Sequence, residues 1–543
     1  MIFGDVKKID LSVSSFERMI INGNLYVDKT RLIENFLNEP SSVQLVARQR
    51  RLGKSLNMDM LRCFLTDKKD YRHLFKDLYI EKSSMWEKIN SAPVFYFDFK
   101  GLNIESYKKQ VAKQIFKHIS SYVDPNELTG YLKQCYDMLI NDPGASTDGL
   151  LILTEIVYEI TGKHSYILID EYDKLLMDYY KSDSYDEIRS FETSLLSSGL
   201  KGNPYLEKAL LTGVMRISHE SIMSGLNNLV TYDVFNDNIY TNDYGITDDE
   251  AAELSKLAAF DLDETKAWYN GIKINGHTIY NIFSVMSFVF RGKYDCYWGK
   301  SGTMEIIAGL LNDDRKMAIA KLLCGERVKV SIEDRISLKQ LSGNTGDEEF
   351  YSLLVQAGYL TLDEKLPGNG LAMITIPNKE LIIVWRNFIL KTLYAGAIKV
   401  RTLFDNVGNL NVFSKDIEYF LCDRLSYHDL AVYSGVNEDK AKERIYHIFL
   451  LGILSAYEDV RYRYPISNRE SGDGRYDVFI EKSGAYYIFE FKACSEKEDL
   501  DKNALEALKQ IETKRYGADL DQTKPLIKVG IAFCGKQCRV KCS

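Results

Sequence analysis

Proline is scarce, nine in 543 residues, and no stretch approaches the roughly 20 uninterrupted apolar residues that would span a bilayer. The first shortage argues against long Pro-rich or disordered tracts, the second against a membrane partner. The opening MIFGDVKKIDLS also lacks the apolar run of a signal peptide, so a cytoplasmic location is expected. Positive charge is not in excess. The 69 Lys and Arg face 77 Asp and Glu, a net -8, which speaks against a protein that coats nucleic acid through its overall field. From residue 441 onward 18 Lys and Arg stand against 16 Asp and Glu, while the rest of the chain taken together has 51 against 61, which favours the C-terminal part as the partner for a polyanion. The nine cysteines are odd in number and scattered, as suits reduced thiols. The last three, Cys534, Cys538 and Cys542, lack a fourth ligand for zinc. No repeat of solenoid period is present.

The length itself calls for several domains, at about 150 residues each. Over the first 220 residues, short apolar runs alternate with helical periodicity: Ser42–Arg48, Ala92–Phe99, Ser165–Asp173 and Lys208–Val214. Such runs are buried on both faces of a parallel sheet, so an α/β domain is expected over residues 1–245. Residues 246–405 read as a helical lid and winged-helix-like connector without chemistry of its own, in which Trp268 packs and Gly271 and Gly358 allow turns or close backbone approach. Residues 406–543 read as a helix followed by a β-hairpin, GRYDVFIEKSGAYYIFEFKA, with Ser483-Gly484 at its turn.

The stretch VARQRRLGKSLNMDM closes on Gly53-Lys54-Ser55 but lacks the glycine that opens a phosphate-binding loop, since Arg48 stands there. In such a loop successive N–H groups cradle phosphates, the lysine reaches the β and γ positions, and the hydroxyl of Ser55 ligates Mg²⁺. An apolar strand precedes the loop and an amphipathic helix follows. A second apolar strand, YILIDEYD, ends in Asp170, placed to hold Mg²⁺, and Glu171, placed to polarise the attacking water. A third ends in Thr212 with Arg216 just beyond, a polar group and a cation positioned to sense the nucleotide.

In the hairpin, twelve residues separate Asp477 from Glu490, and Lys492 follows in Glu490-Phe491-Lys492. Period-2 alternation puts Glu490 and Lys492 on one face of an otherwise apolar strand, an expensive arrangement without a metal or partner. Carboxylates that hold Mg²⁺ beside a cation are what phosphodiester hydrolysis needs.

These motifs, with LYVDKTRLIENFL, LTGVMRISHESIMSGLNNL and WYNGIKI, resemble the bacterial AAA-ATPase-like family whose members often carry a C-terminal PD-(D/E)XK nuclease domain. The resemblance covers nearly the whole chain. In that family the loop reads R-P-R-R-[FL]-G-K-[ST], so Arg48 belongs to the pattern and Arg48, Arg50 and Arg51 would add positive charge beside the phosphates; Gln49 replaces the usual proline. Asp477, Glu490 and Lys492 resemble the three nuclease motif positions, with Tyr476 in place of a proline. By the same resemblance Glu443 is an additional metal ligand, Tyr446 or His447 approaches the scissile phosphate, and Gln510, with Lys514 and Tyr516 nearby, supports the site. The implied cofactors are ATP and Mg²⁺, with Mn²⁺ able to substitute at the nuclease site. The implied partner is nucleic acid, DNA ahead of RNA, with a homo-oligomer possible. The expected function is an ATP-binding nuclease licensed by nucleotide state. The alternative is a signalling or defence module with a latent or platform nuclease fold.

Overall fold

The computed structural model describes residues 2–141, 147–216, 228–298, 307–323, 325–333, 345–367, 370–393, 409–424, 466–467, 470–471, 474–482, 484–494, 499–534 and 537–543. They form two compact units, Met1–Ser301 with Lys329–Glu380, and Gly302–Val328 with Leu381–Ser543.

The first unit is built on a five-stranded parallel sheet: β1 (Val43–Ala47), β2 (Val94–Asp98), β3 (Ser165–Asp170), β4 (Leu206–Gly213) and β5 (Leu229–Tyr232). Its order is β2-β3-β4-β1-β5, so β4 lies between the strand that feeds the glycine–lysine loop and the strand that ends in Asp170. All five residues of β1 and all six of β3 are buried, as expected of strands covered on both faces. Four of the strands coincide with the four apolar runs of the sequence. The fifth, LVTY, escaped notice because it is an edge strand of four residues, half of them polar and only one fully buried. Every strand of this sheet runs the same way, so their C-terminal ends, and the loops that follow them, gather along one edge.

After the sheet come the helices Asp248–Ala258, Leu262–Tyr269 and Ile282–Arg291, then Asp347–Gln356 and the antiparallel hairpin Thr361–Lys365 with Leu371–Thr375. Thr247 and Glu250 close a capping box on the first of these helices. Trp268 is buried, stacks on Tyr294 (5.8 Å between centroids) and donates to Glu264 at 2.8 Å. Gly271 has φ +99°, and a Cβ there would lie 2.2 Å from the Pro377 carbonyl oxygen.

The second unit holds a mixed sheet of β6 (Ile466–Ser467), β7 (Val478–Lys482), β8 (Ala485–Ala493), β9 (Leu526–Cys534) and β10 (Gln537–Cys542), in that spatial order. β8 and β9 are parallel, and the other pairs are antiparallel. A parallel pair needs a crossover. Helix α1 (Leu500–Thr513) supplies it, burying Leu500, Ala504, Ala507 and Ile511 along one stripe. On the opposite face lies α2 (Leu410–Arg424), whose Phe413 meets Tyr487 at 5.9 Å. Residues 438–457, expected to be helical, lie outside the described residues.

Candidate functional site

Two places along the chain gather the predicted side chains, one in each unit. In the first, β1 ends at Ala47 and the chain turns through residues 48–53 into the helix Lys54–Leu65, with Gly53 as its N-cap at φ +90°. Lys54 is 6% exposed, and its Nζ donates to the carbonyls of Arg48 and Gln49, both at 2.9 Å. Burial lowers its pKa, while the charges of Glu171, Asp170 and Asp173 pull the other way. Ser55 follows, half-buried, in the first turn of the helix. Asp170, at the end of β3, is buried and accepts from Thr212 Oγ1 at 2.6 Å, from Tyr96 OH at 3.3 Å and from the Glu171 N–H at 3.1 Å. Glu171 itself sits at φ +55°, a left-handed conformation uncommon outside glycine. The interposed β4 is what brings Thr212 beside Asp170.

Three residues missed in the sequence join this group. Tyr96 orients Asp170 from β2, and Asp98 pairs in register with Asp170. Burial, with the charges of Asp170 and Glu171, pushes the Asp98 carboxyl up against the pull of the Lys100 N–H. Asp173 accepts the N–H groups of Val214 and Met215, both at 2.8 Å, tying the end of β3 to the end of β4; burial pushes it up to about 6. Alternation along FYFDF puts Tyr96 and Asp98 on one face, and that signal was legible.

The arginines behave differently from the expectation. Arg48 is fully buried, with its guanidinium on Asp237 and on the carbonyls of Ala47 and Tyr232 (2.9 and 3.2 Å), so Asp237 neutralises the charge expected beside the phosphates. An isolated buried guanidinium would be costly, and Asp237 answers that cost. Arg51 lies over the Phe283 ring at 4.0 Å and donates to the Tyr297 carbonyl at 2.9 Å. Arg216 takes the Gln356 side chain on its N–H at 3.0 Å and has a guanidinium nitrogen 3.6 Å from Asp233.

In the second unit, Asp477 stands one residue before the Val478–Phe489 pair and accepts the N–H of Phe491, between Glu490 and Lys492, at 2.8 Å. Glu490 is 3% exposed and accepts from the Gln510 amide, which reaches it from α1. Lys492 is half-buried two residues on, on the same face. Asp477, Glu490, Lys492 and Gln510 are therefore gathered by one hairpin and one helix.

Tyr516 is not part of this group. It is buried against Tyr476, with ring centroids 6.1 Å apart, in the core that Phe479 and Ile488 share. Lys514 is exposed at the C-cap of α1. Glu443, Tyr446 and His447 lie outside the described residues. Among the described residues no three His, Cys, Asp or Glu side chains gather as a metal cluster, the terminal cysteines included. The donor set at the hairpin is thus two carboxylates beside a lysine, which fits a divalent cation with oxygen ligands. Nor is any helix among the described residues long and apolar enough to cross a membrane.

Comparison with known proteins adds the following. Residues 10–223 match the family described as "Predicted AAA-ATPase", and residues 441–542 match the PD-(D/E)XK nuclease superfamily. A curated relative from Azotobacter chroococcum mcd 1, "Uncharacterized protein in vnfD 5'region", is 26% identical over 548 residues, covering 97% of this chain and 96% of its own. Among solved structures, a chain from "Structure of Drosophila ORC bound to AT-rich DNA and Cdc6" aligns at 10% identity over 69% of this chain and 91% of that one. Its TM-score of 0.18 carries no argument.

Proposed function

The chain joins an AAA-ATPase-like domain to a PD-(D/E)XK nuclease-superfamily domain, and on that premise we propose that it is an ATP-binding, Mg²⁺-dependent nuclease whose cutting is licensed by nucleotide state. The observation that carries the reading is the hairpin itself: Asp477, one residue before the Val478–Phe489 pair, accepts the Phe491 N–H at 2.8 Å between Glu490 and Lys492, and Gln510 holds Glu490. Asp477 and Glu490, joined by Glu443, would hold the metal, which supplies a hydroxide nucleophile near neutral pH and charge neutralisation at the phosphate. Lys492 would steady the developing negative charge. The Gln510 amide, donating to Glu490, keeps that carboxylate aimed. In the first unit, Lys54 would meet the β and γ phosphates, Ser55 and Asp170 would hold Mg²⁺, Glu171 would orient water, and Thr212 and Arg216 would respond to the γ-phosphate. Residues 1–245 then handle nucleotide, 246–405 connect, and 406–543 cut.

The test is incubation of the purified chain with supercoiled, linear and single-stranded DNA and with RNA, each with Mg²⁺ or Mn²⁺ and with or without ATP. DNA is the first substrate expected, and light scattering on the same preparation reads any homo-oligomer. Asp477→Ala should lose metal affinity and cutting together, whereas Lys492→Ala should keep the metal and lose the chemistry. If Asp477→Ala cuts as fast as wild type, the assignment is wrong. A wild-type chain that binds ATP yet cuts nothing under every condition would favour the switch with a latent nuclease fold.

A further inference from the structure

We propose that Glu380 is a positioning residue for the phosphate loop, acting through Tyr297 and Trp298 on Arg50 and Arg51. The inference rests on reading residues 48–55 as the phosphate cradle. It assigns a role to a region whose sequence suggested none.

Glu380 is 1% exposed, the second residue of the helix Lys379–Leu393. One of its oxygens accepts the N–H of Tyr297 at 2.6 Å and of Trp298 at 2.8 Å, and Ser284 Oγ lies 3.1 and 2.8 Å from its two oxygens. A carboxyl so deeply buried is kept only where such donors surround it. The two residues it fixes both reach the loop. The indole N–H of Trp298 donates to the Arg50 carbonyl at 3.2 Å, and its ring meets Tyr359 edge-on at 4.9 Å. The Tyr297 carbonyl accepts from Arg51, whose guanidinium also covers Phe283, the neighbour of Ser284. Close by, Gln49 lies against Gly358, where a Cβ would come within 2.3 Å of its side chain.

A phosphate cradle depends on where its backbone N–H groups point. In this loop Arg51 adopts φ +64°, which a residue with a side chain holds only when its surroundings impose it. The contacts from Glu380 are such a constraint. They arrive at the two residues just before Leu52-Gly53, while Lys54 ties down the carbonyls of Arg48 and Gln49 from the other side.

The experiment compares full-length wild type, Glu380→Ala and Glu380→Gln by hydrogen exchange and by calorimetric titration with Mg-ATP. Glu380→Ala should speed exchange at the amides of residues 50–53 at least tenfold and weaken ATP binding at least tenfold, with exchange in α1 unchanged. Glu380→Gln keeps an acceptor for both N–H groups and should restore both values to within about threefold of wild type. A merely structural role would not be rescued at the loop alone. Should Glu380→Ala fail to fold, Trp298→Phe removes only the indole donor and should move loop exchange in the same direction. Wild-type exchange at residues 50–53 in folded Glu380→Ala, or in Trp298→Phe where Glu380→Ala does not fold, overturns the proposal. If loop exchange responds as stated while wild type binds no ATP, the positioning role stands and the nucleotide reading falls.

Discussion

Gly530, on β9, pairs in register with Glu490 on the neighbouring parallel strand β8, and its missing side chain sets how close α1 can come. A Cβ there would lie 2.4 Å from the Ala504 carbonyl oxygen and 2.5 Å from the Leu508 nitrogen, both on the helix backbone. Backbone cannot swing aside as a side chain can. Reaching an ordinary contact of about 3.4 Å would push the helix outward by about 1 Å, with overpacking of about 1–3 kcal/mol as the cost. Gln510 rides on that helix, and its bond to Glu490 would lengthen or break. Outer partners of this kind are worth about 10- to 100-fold in metal affinity. Gly530→Ala is therefore expected to unfold at lower urea and to bind Mn²⁺ at least tenfold more weakly. The titration is run without nucleotide and with Asp477→Ala as the blank, so that the first unit's site does not contribute. Wild-type stability in Gly530→Ala would refute the close-approach argument. Wild-type Mn²⁺ affinity with reduced stability would refute the role given to Gln510.

Other outcomes follow from the same geometry. Lys54→Ala should weaken ATP binding in calorimetry, since it removes the cation among Asp170, Glu171 and Asp173, whereas Glu171→Gln should bind ATP and hydrolyse it slowly. Asp243 is buried and its pKa is pushed from 3.8 up to about 6, with Asn35 donating to it at 2.7 Å. Because the folded pKa is raised, the folded state holds its proton longer than the unfolded chain, so stability is full below about pH 4 and declines as pH rises to about 6. Asp243→Asn should therefore be more stable than wild type at pH 7, by up to about 3 kcal/mol, with the difference vanishing near pH 4. Equal melting temperatures at pH 7 would show that the folded protein carries the charge at no such cost.

The legible parts of the chain were those whose signal is local. Alternation and spacing located Asp477, Glu490 and Lys492 on one hairpin because register carries over from neighbour to neighbour. Gly53-Lys54-Ser55 was legible because strand, loop and helix adjoin. What stayed hidden depends on partners far along the chain. Asp237, which takes the charge of Arg48, is 189 residues away, and no sequence period links them. Tyr516 looked like a site residue by position, but an aromatic next to a helix end packs wherever the core has room, here against Tyr476. Glu380 gave no signal either, since a glutamate in a first helical turn is ordinary capping chemistry until its burial is known.

The missing glycine at the loop's opening has a conformational answer. Arg48 is not among the residues with positive φ, so its backbone needs nothing that glycine alone provides; the left-handed positions of this loop are Arg51 at φ +64° and Gly53 at φ +90°. Glycine is thus retained where the helix begins and absent where the strand ends. At Arg51 the strain remains and side-chain contacts with Phe283 and Tyr297 offset it. Two substitutions separate these terms. Arg51→Ala loses the contacts and keeps the strain, whereas Arg51→Gly loses the same contacts and relieves it. The glycine variant should be the more stable of the two by about 1 kcal/mol, read as the difference in urea midpoint at equal slope. Both should fall below wild type. If alanine proves as stable as glycine, residue 51 does not hold the left-handed conformation in solution, and the constraint attributed to its neighbours has nothing to impose.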